Sequence, residues 1–106
     1  MAKPKKLPPI HPGELLAEDL RDMGMTKNRL AKALHVAPNR ITEIVNGRRG
    51  ITGETALRLA RYFGTSPQYW MDLQKHYELQ VANDKFESRI AKEIQPREPV
   101  APKRGR

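Results

Sequence analysis

The apolar positions of this chain recur three and four residues apart from Pro12 to Tyr77, and no segment alternates apolar and polar residues long enough to make a strand. In "PGELLAEDLRDM" the stripe is Leu15, Leu16, Leu20 and Met23, with Pro12 in the first turn and Gly24 as the stop. Glu14 and Glu18 sit near the positive end of that helix, where its macrodipole favours them. Thr26 caps a second helix, which runs to Leu34 and buries Leu30, Ala31 and Leu34. A short third helix covers about residues 38–46, with Ile41, Ile44 and Val45 inward and Gly47 as a left-handed stop. Thr52 caps a fourth, on which Ala56, Leu57, Leu59, Ala60 and Phe63 face the core and Gly64 ends the pattern. Ser66-Pro67 opens a fifth, marked by Trp70, Leu73 and Tyr77. Phe86, Ile90 and Ile94 then repeat every fourth residue, so residues 83–95 form either a short sixth helix or an extension of the fifth. The expected architecture is an all-α five-helix bundle.

Composition changes this picture mainly at the ends. Residues 1–11 carry Lys3, Lys5 and Lys6 among Pro4, Pro8 and Pro9, with too little apolar surface to pack, and read as an extended basic arm. Residues 96–106 combine Pro96, Pro99 and Pro102 with four basic residues and read as a disordered basic tail. Residues 12–82 are left as one domain, in keeping with a chain of 106 residues. The absence of cysteine excludes disulfides and thiolate metal sites and suits a reducing cytoplasm, which is the expected location. The apolar runs are too short to span a bilayer, and the basic N-terminus lacks the apolar stretch of a signal peptide, so no membrane association is expected.

The formal charge of +8 favours an anionic partner, and its distribution sharpens that inference. Between Thr26 and Arg61, eight basic residues (Lys27, Arg29, Lys32, Arg40, Arg48, Arg49, Arg58 and Arg61) face only Glu43 and Glu54. Between Pro12 and Met25, Arg21 is outnumbered by Glu14, Glu18, Asp19 and Asp22. The basic excess lies on the second to fourth helices, and the first presents an acidic face, as expected of a protein with one nucleic-acid-binding side.

The second and third helices meet the physical requirements of a helix-turn-helix. Ala31 is small enough for the two helices to cross closely, His35 stands where the turn needs positive φ, and Val36 plugs the gap between them. Ile41 and Ile44 seat the second helix. Its outward face then carries Pro38, Asn39, Arg40, Thr42, Glu43 and Asn46. Asn39 can pair with adenine and Arg40 with guanine, Thr42 can meet a thymine methyl or a phosphate, and Pro38 lies alongside them at the helix start. Glu43 either accepts from cytosine or orients Arg40, the second role being preferred. Thr26, Lys27 and Asn28 place the amides of a helix N-terminus near a phosphate, and Asn46, Arg48 and Arg49 clamp the backbone on the other side. Arg58 and Arg61 are as well suited to pairing with acids on the first and fifth helices.

The ordered set Ala31, His35, Val36, Ile41 and Ile44 resembles the helix-turn-helix of the lambda repressor and Cro group, which implies a bundle of lambda-repressor-like type. That group usually has glycine where His35 stands and a Ser or Thr cap where Ala37 stands. Histidine enters the left-handed region more readily than most residues, and Pro38 offsets part of the missing cap, worth about 1 kcal/mol. Residues 10–81 as a whole resemble the HigA-type antitoxins, also called plasmid-maintenance or virulence-associated-protein-I-like antidotes. The resemblance is carried by His11-Pro12-Gly13-Glu14, by Arg48 to Ile51 and by Trp70 to Leu79. It implies a homodimeric DNA-binding antidote that neutralises a cognate toxin, a ribosome-dependent mRNA endonuclease, and represses its own operon from a palindromic operator. Trp70, Tyr77, Leu79 and Val81 offer apolar surface for the two-fold interface.

An enzyme would need convergent groups. His11, His35 and His76 lack ligand spacing and read as turn or surface residues, and Glu14 and Glu18 have no partner acid or base. No catalytic residue, metal or cofactor is expected. The competing readings are a stand-alone helix-turn-helix repressor without a toxin, and an interaction module whose third helix no longer reads DNA. Co-purification with a small protein encoded alongside separates the antitoxin from the repressor.

Overall fold

Four of the five helices begin on a residue whose side chain accepts from an otherwise orphaned amide, which is how so short a chain fixes its helix boundaries. The computed structural model describes residues 7–98. It contains α1 (Pro12–Met23), α2 (Lys27–Leu34), α3 (Pro38–Val45), α4 (Gly53–Phe63) and α5 (Pro67–Glu93). Thr26 Oγ1 accepts from the Arg29 amide at 3.1 Å, Thr52 Oγ1 from Thr55 at 3.4 Å and Ser66 Oγ from Tyr69 at 3.1 Å. Ala37, before α3, makes no side-chain cap, and Pro38 stands in the first turn. The parts of the basic arm and tail that fall on residues 1–6 and 99–106 lie outside the described residues.

The core gathers Leu16, Leu20, Leu30, Leu34, Ile41, Ile44, Ile51, Leu59 and Trp70. α2 packs on α3 and α4, α1 on α3 and α5, and α4 on α5. Three expectations from the apolar pattern are corrected. Leu57 is 61 % exposed, because the stripe of α4 is filled by Thr55, Ala56, Leu59 and Ala60. Met23 is half-exposed at the end of α1. Trp70 is not available to a dimer interface: it is 1 % exposed within this one chain. Its indole N–H donates to Thr65 Oγ1 at 2.9 Å, and Phe63 and Tyr69 flank its ring.

The two ways of reading residues 83–95 resolve in favour of an extension, since α5 runs unbroken for 27 residues to Glu93. At 1.5 Å per residue it is about 40 Å long, roughly twice what the core can cover. Phe86 and Ile90 stay exposed on its second half.

His11, read from the sequence as a turn or surface residue, is buried and caps α1. Its Nδ1 accepts from the Gly13 amide at 2.9 Å, and its ring meets Tyr77 of α5 edge-on, 4.8 Å between centroids. Burial lowers its pKa from 6.5, against the weaker upward pull of the Glu14 carboxylate. The folded chain therefore binds this proton less readily than the unfolded one. The stabilising contribution is complete above the unfolded value and is lost as pH falls below it. Protonated Nδ1 could not accept from Gly13 either. The urea midpoint should fall between about pH 7.5 and about pH 5.5, and His11→Asn, which keeps a capping side chain, should flatten that part of the profile. An equal slope in both proteins would sink this assignment.

Candidate nucleic-acid interface

The turn between α2 and α3 is built as the sequence requires. His35 adopts φ 60°, ψ 47°, the only positive φ outside glycine among the described residues. Its amide donates to Lys32 O at 3.2 Å and that of Val36 to Ala31 O at 3.0 Å. Val36 packs against the core between the helices, and Ile41 and Ile44 are fully buried beneath α3.

The opposite face of α3 is open. Pro38, Asn39 and Asn46 are exposed and Thr42 is half-buried, its hydroxyl donating back to Pro38 O at 3.3 Å. Thr26, Lys27 and Asn28 are exposed at the start of α2. Arg29 and Lys32, which the sequence reading counted as charge but gave no role, line one shallow groove with Asn28, Val36 and Pro38. Lys32 stands four residues after Asn28 and three after Arg29, and that helical spacing was the signal that could have placed it there.

Three charged residues stand differently from expectation. Arg40 is committed to α4: Nη1 donates to Glu54 Oε1 at 3.2 Å and to Thr55 Oγ1 at 3.4 Å. Glu54 also accepts from Arg58 Nε at 3.1 Å and Nη2 at 2.9 Å, while Arg58 Nη1 donates to Leu34 O at 2.8 Å. Arg58 thus serves its own helix and the end of α2, not acids on α1 or α5. Glu54 is held below the usual carboxylate range by the Arg58 hydrogen bonds first and by Arg40 next. Glu43 orients Arg49 and not Arg40, accepting from Nε at 2.9 Å and ion-paired with Nη2 at 2.8 Å. The backbone reinforces this pair, since the amides of Arg48 and Arg49 both donate to Glu43 O. Arg48 is exposed, with no ion pair among the described residues.

Of the residues proposed for a dimer interface, Leu79 is 72 % exposed, Val81 is half-buried, and Tyr77 is partly used by His11. On α1, burial first and then the Asp22 and Glu18 carboxylates raise the pKa of Asp19. The cluster of Glu14, Glu18, Asp19 and Asp22 makes that face unfavourable to a phosphate backbone, while the basic residues of α2, α3 and the loop after it favour one. No helix among the described residues is long and apolar enough to cross a membrane.

A paired α2 and α3 around a positive-φ turn, with a polar outer face flanked by basic residues, defines a helix-turn-helix domain. A helix-turn-helix family model matches residues 16–70. The chain is 52 % identical over 84 residues to virulence-associated protein I of Dichelobacter nodosus, a match covering 78 % of each. Its structure resembles an addiction module antidote protein of the HigA family from Coxiella burnetii, with a TM-score of 0.83 and 49 % identity, covering 85 % of this chain and 99 % of that one. It also resembles Pseudomonas aeruginosa antitoxin HigA, solved with the higBA promoter, at a TM-score of 0.82 and 42 % identity, covering 84 % and 98 %. The chain belongs to the HigA-type family of helix-turn-helix antitoxins.

Proposed function

We propose that this chain is a DNA-binding antitoxin that represses its own operon in the cytoplasm and neutralises a partner toxin, an mRNA endonuclease acting at the ribosome. The observation that carries the DNA part is the open face of α3, polar along its length and bracketed by exposed basic residues of α2 and of the loop after α3. Asn39 is its first base reader, with Pro38 and Thr42 beside it. Arg40 joins them by exchanging Glu54 for a guanine edge. Glu43 acts on the interface by holding Arg49. Thr26, Lys27 and Asn28 on one side, and Asn46, Arg48 and Arg49 on the other, contact phosphates. Two copies present two α3 helices to half-sites about one helical turn apart, roughly 34 Å, or a multiple of it. Leu79 and Val81, with the neighbouring edge of Tyr77, supply the two-fold contact. The exposed second half of α5 supports this, because a helix with so little cover is marginal in water by itself.

Footprinting on the DNA upstream of the gene tests the reading. A protected palindrome is expected, and no protection there overturns the repressor role. Asn39→Ala should relax preference at one base-pair position, by about 1–3 kcal/mol. Arg48→Ala should weaken binding to all sequences and reduce the slope of log K against log salt by about one per half-site. The toxin part is tested separately, by co-purification with the product of the adjacent gene.

A further inference from the structure

The acceptor that holds Arg40 is itself held. Arg40 Nη1 donates to Glu54 Oε1 at 3.2 Å and to Thr55 Oγ1 at 3.4 Å, so both bonds leave from one nitrogen of the guanidinium. The other carboxylate oxygen of Glu54 accepts from Arg58 Nε at 3.1 Å and Nη2 at 2.9 Å. Arg58 in turn donates through Nη1 to Leu34 O at 2.8 Å, at the last residue of α2. Glu54 also lies in the first turn of α4, where the helix macrodipole favours a carboxylate. The carboxylate is therefore fixed in place without Arg40. Its side chain is 57 % exposed, so water can replace the guanidinium at Oε1, and Thr55 keeps the Thr52 hydroxyl as a partner. Arg40 can leave α4 without orphaning a buried group.

We infer that Glu54 is an intramolecular competitor for Arg40, one that holds down the affinity of the chain for sites presenting guanine to α3. The inference rests on the reading of Arg40 as a guanine reader made above. Guanine offers two acceptors, O6 and N7, to two N–H donors of one guanidinium. A carboxylate oxygen is a stronger acceptor than either, because it carries charge. Here it has drawn Nη1 toward α4, against the buried hydroxyl of Thr55 and off the open face. Reading guanine then requires that this pair be undone first. An exposed ion pair is weak, so the penalty is a modest factor and not a block. It falls hardest on guanine, since a base that Arg40 cannot grip does not need Arg40 released. The opposite role would be a brace, with Glu54 keeping Nη1 while Nε and Nη2 grip the base. Competitor and brace predict effects of opposite sign.

The test is a double-mutant cycle on the full chain, with Glu54→Gln, Arg40→Ala and the two combined, titrated with the DNA upstream of the gene. Gln keeps the length of the side chain and removes its charge. Glu54→Gln should bind about two- to fivefold more tightly than the native chain, and the gain should vanish in the Arg40→Ala background. The gain should also shrink on DNA whose guanine is replaced at the position where Arg40→Ala loses its preference. A gain that persists without Arg40 would come only from weaker repulsion of phosphates, and it overturns the inference. Weaker binding by Glu54→Gln, the sign of a brace, overturns it too, as does unchanged binding. Arg40→Ala binding with native affinity and base preference removes Arg40 as a reader and the inference with it. Failure of the native chain to bind this DNA at all would instead bring down the DNA-binding reading on which the inference stands.

Discussion

Gly13→Ala is expected to lose about 3 kcal/mol or more of stability, at the upper end of what overpacking usually does. A methyl built there would lie 2.7 Å from the Ile44 carbonyl carbon, closer still to its oxygen, and 3.0 Å from Val45 Cα. These are backbone atoms of α3, which have no rotamer to change, so α1 and α3 must separate. The same shift displaces α3 on DNA, and operator affinity should fall along with stability. Gly53→Ala is the matched control, because Gly53 also lies in the first turn of a helix but has nothing within 4 Å of an added carbon. It should be neutral, or stabilising by up to about 1 kcal/mol through the unfolded state. Denaturant unfolding of both variants decides the matter, and equal losses would refute the idea that close approach of α1 to α3 is what Gly13 provides.

Trp70 and Leu79 should fail in different ways. Trp70→Ala removes a fully buried ring and orphans Thr65 as its acceptor partner, so a loss of about 3–5 kcal/mol is expected whatever the protein concentration. Leu79→Asp alters an exposed position, and the folded monomer should tolerate it. Its expected effect is on association: the midpoint of unfolding should cease to depend on protein concentration, as it does for a dimer. Unfolding at two concentrations about 50-fold apart separates the two. Were Leu79→Asp to keep a concentration-dependent midpoint, the interface would have to lie elsewhere.

The helix-turn-helix was legible because its signals are local. Thr26, Thr52 and Ser66 cap, Pro38 and Pro67 start, and His35 turns, each acting on neighbours within four residues. What escaped was set by residues far apart in sequence. Arg40 looked free because Glu54 and Thr55 are fourteen and fifteen positions away and only the packing of α4 delivers them. His11 looked like surface until Tyr77 covered it. Gln74 gave no sign of its role: buried, it accepts from the Ile51 amide at 2.8 Å and donates to Glu78, tying α5 to the entry of α4. Trp70 was ambiguous in principle, because periodicity reports that a face is covered and not whether the cover comes from the same chain. The length of α5 was only half-readable: the four-residue spacing continues through Ile90 and no proline follows until Pro96, but the same spacing fits a separate sixth helix equally well.

The fastening of α3 has a consequence for how such a protein can change over generations. Its buried side is held by Ile41, Ile44 and the contact with Gly13, and Arg40 ties its flank to α4. Asn39 shares in none of this, and substitutions at such an exposed position usually alter stability by less than about 0.5 kcal/mol. On the proposed reading of Asn39 as a base reader, mutation there can explore new target sequences while the scaffold stays intact. Two copies of the gene could drift apart in what they recognise long before either lost the ability to fold.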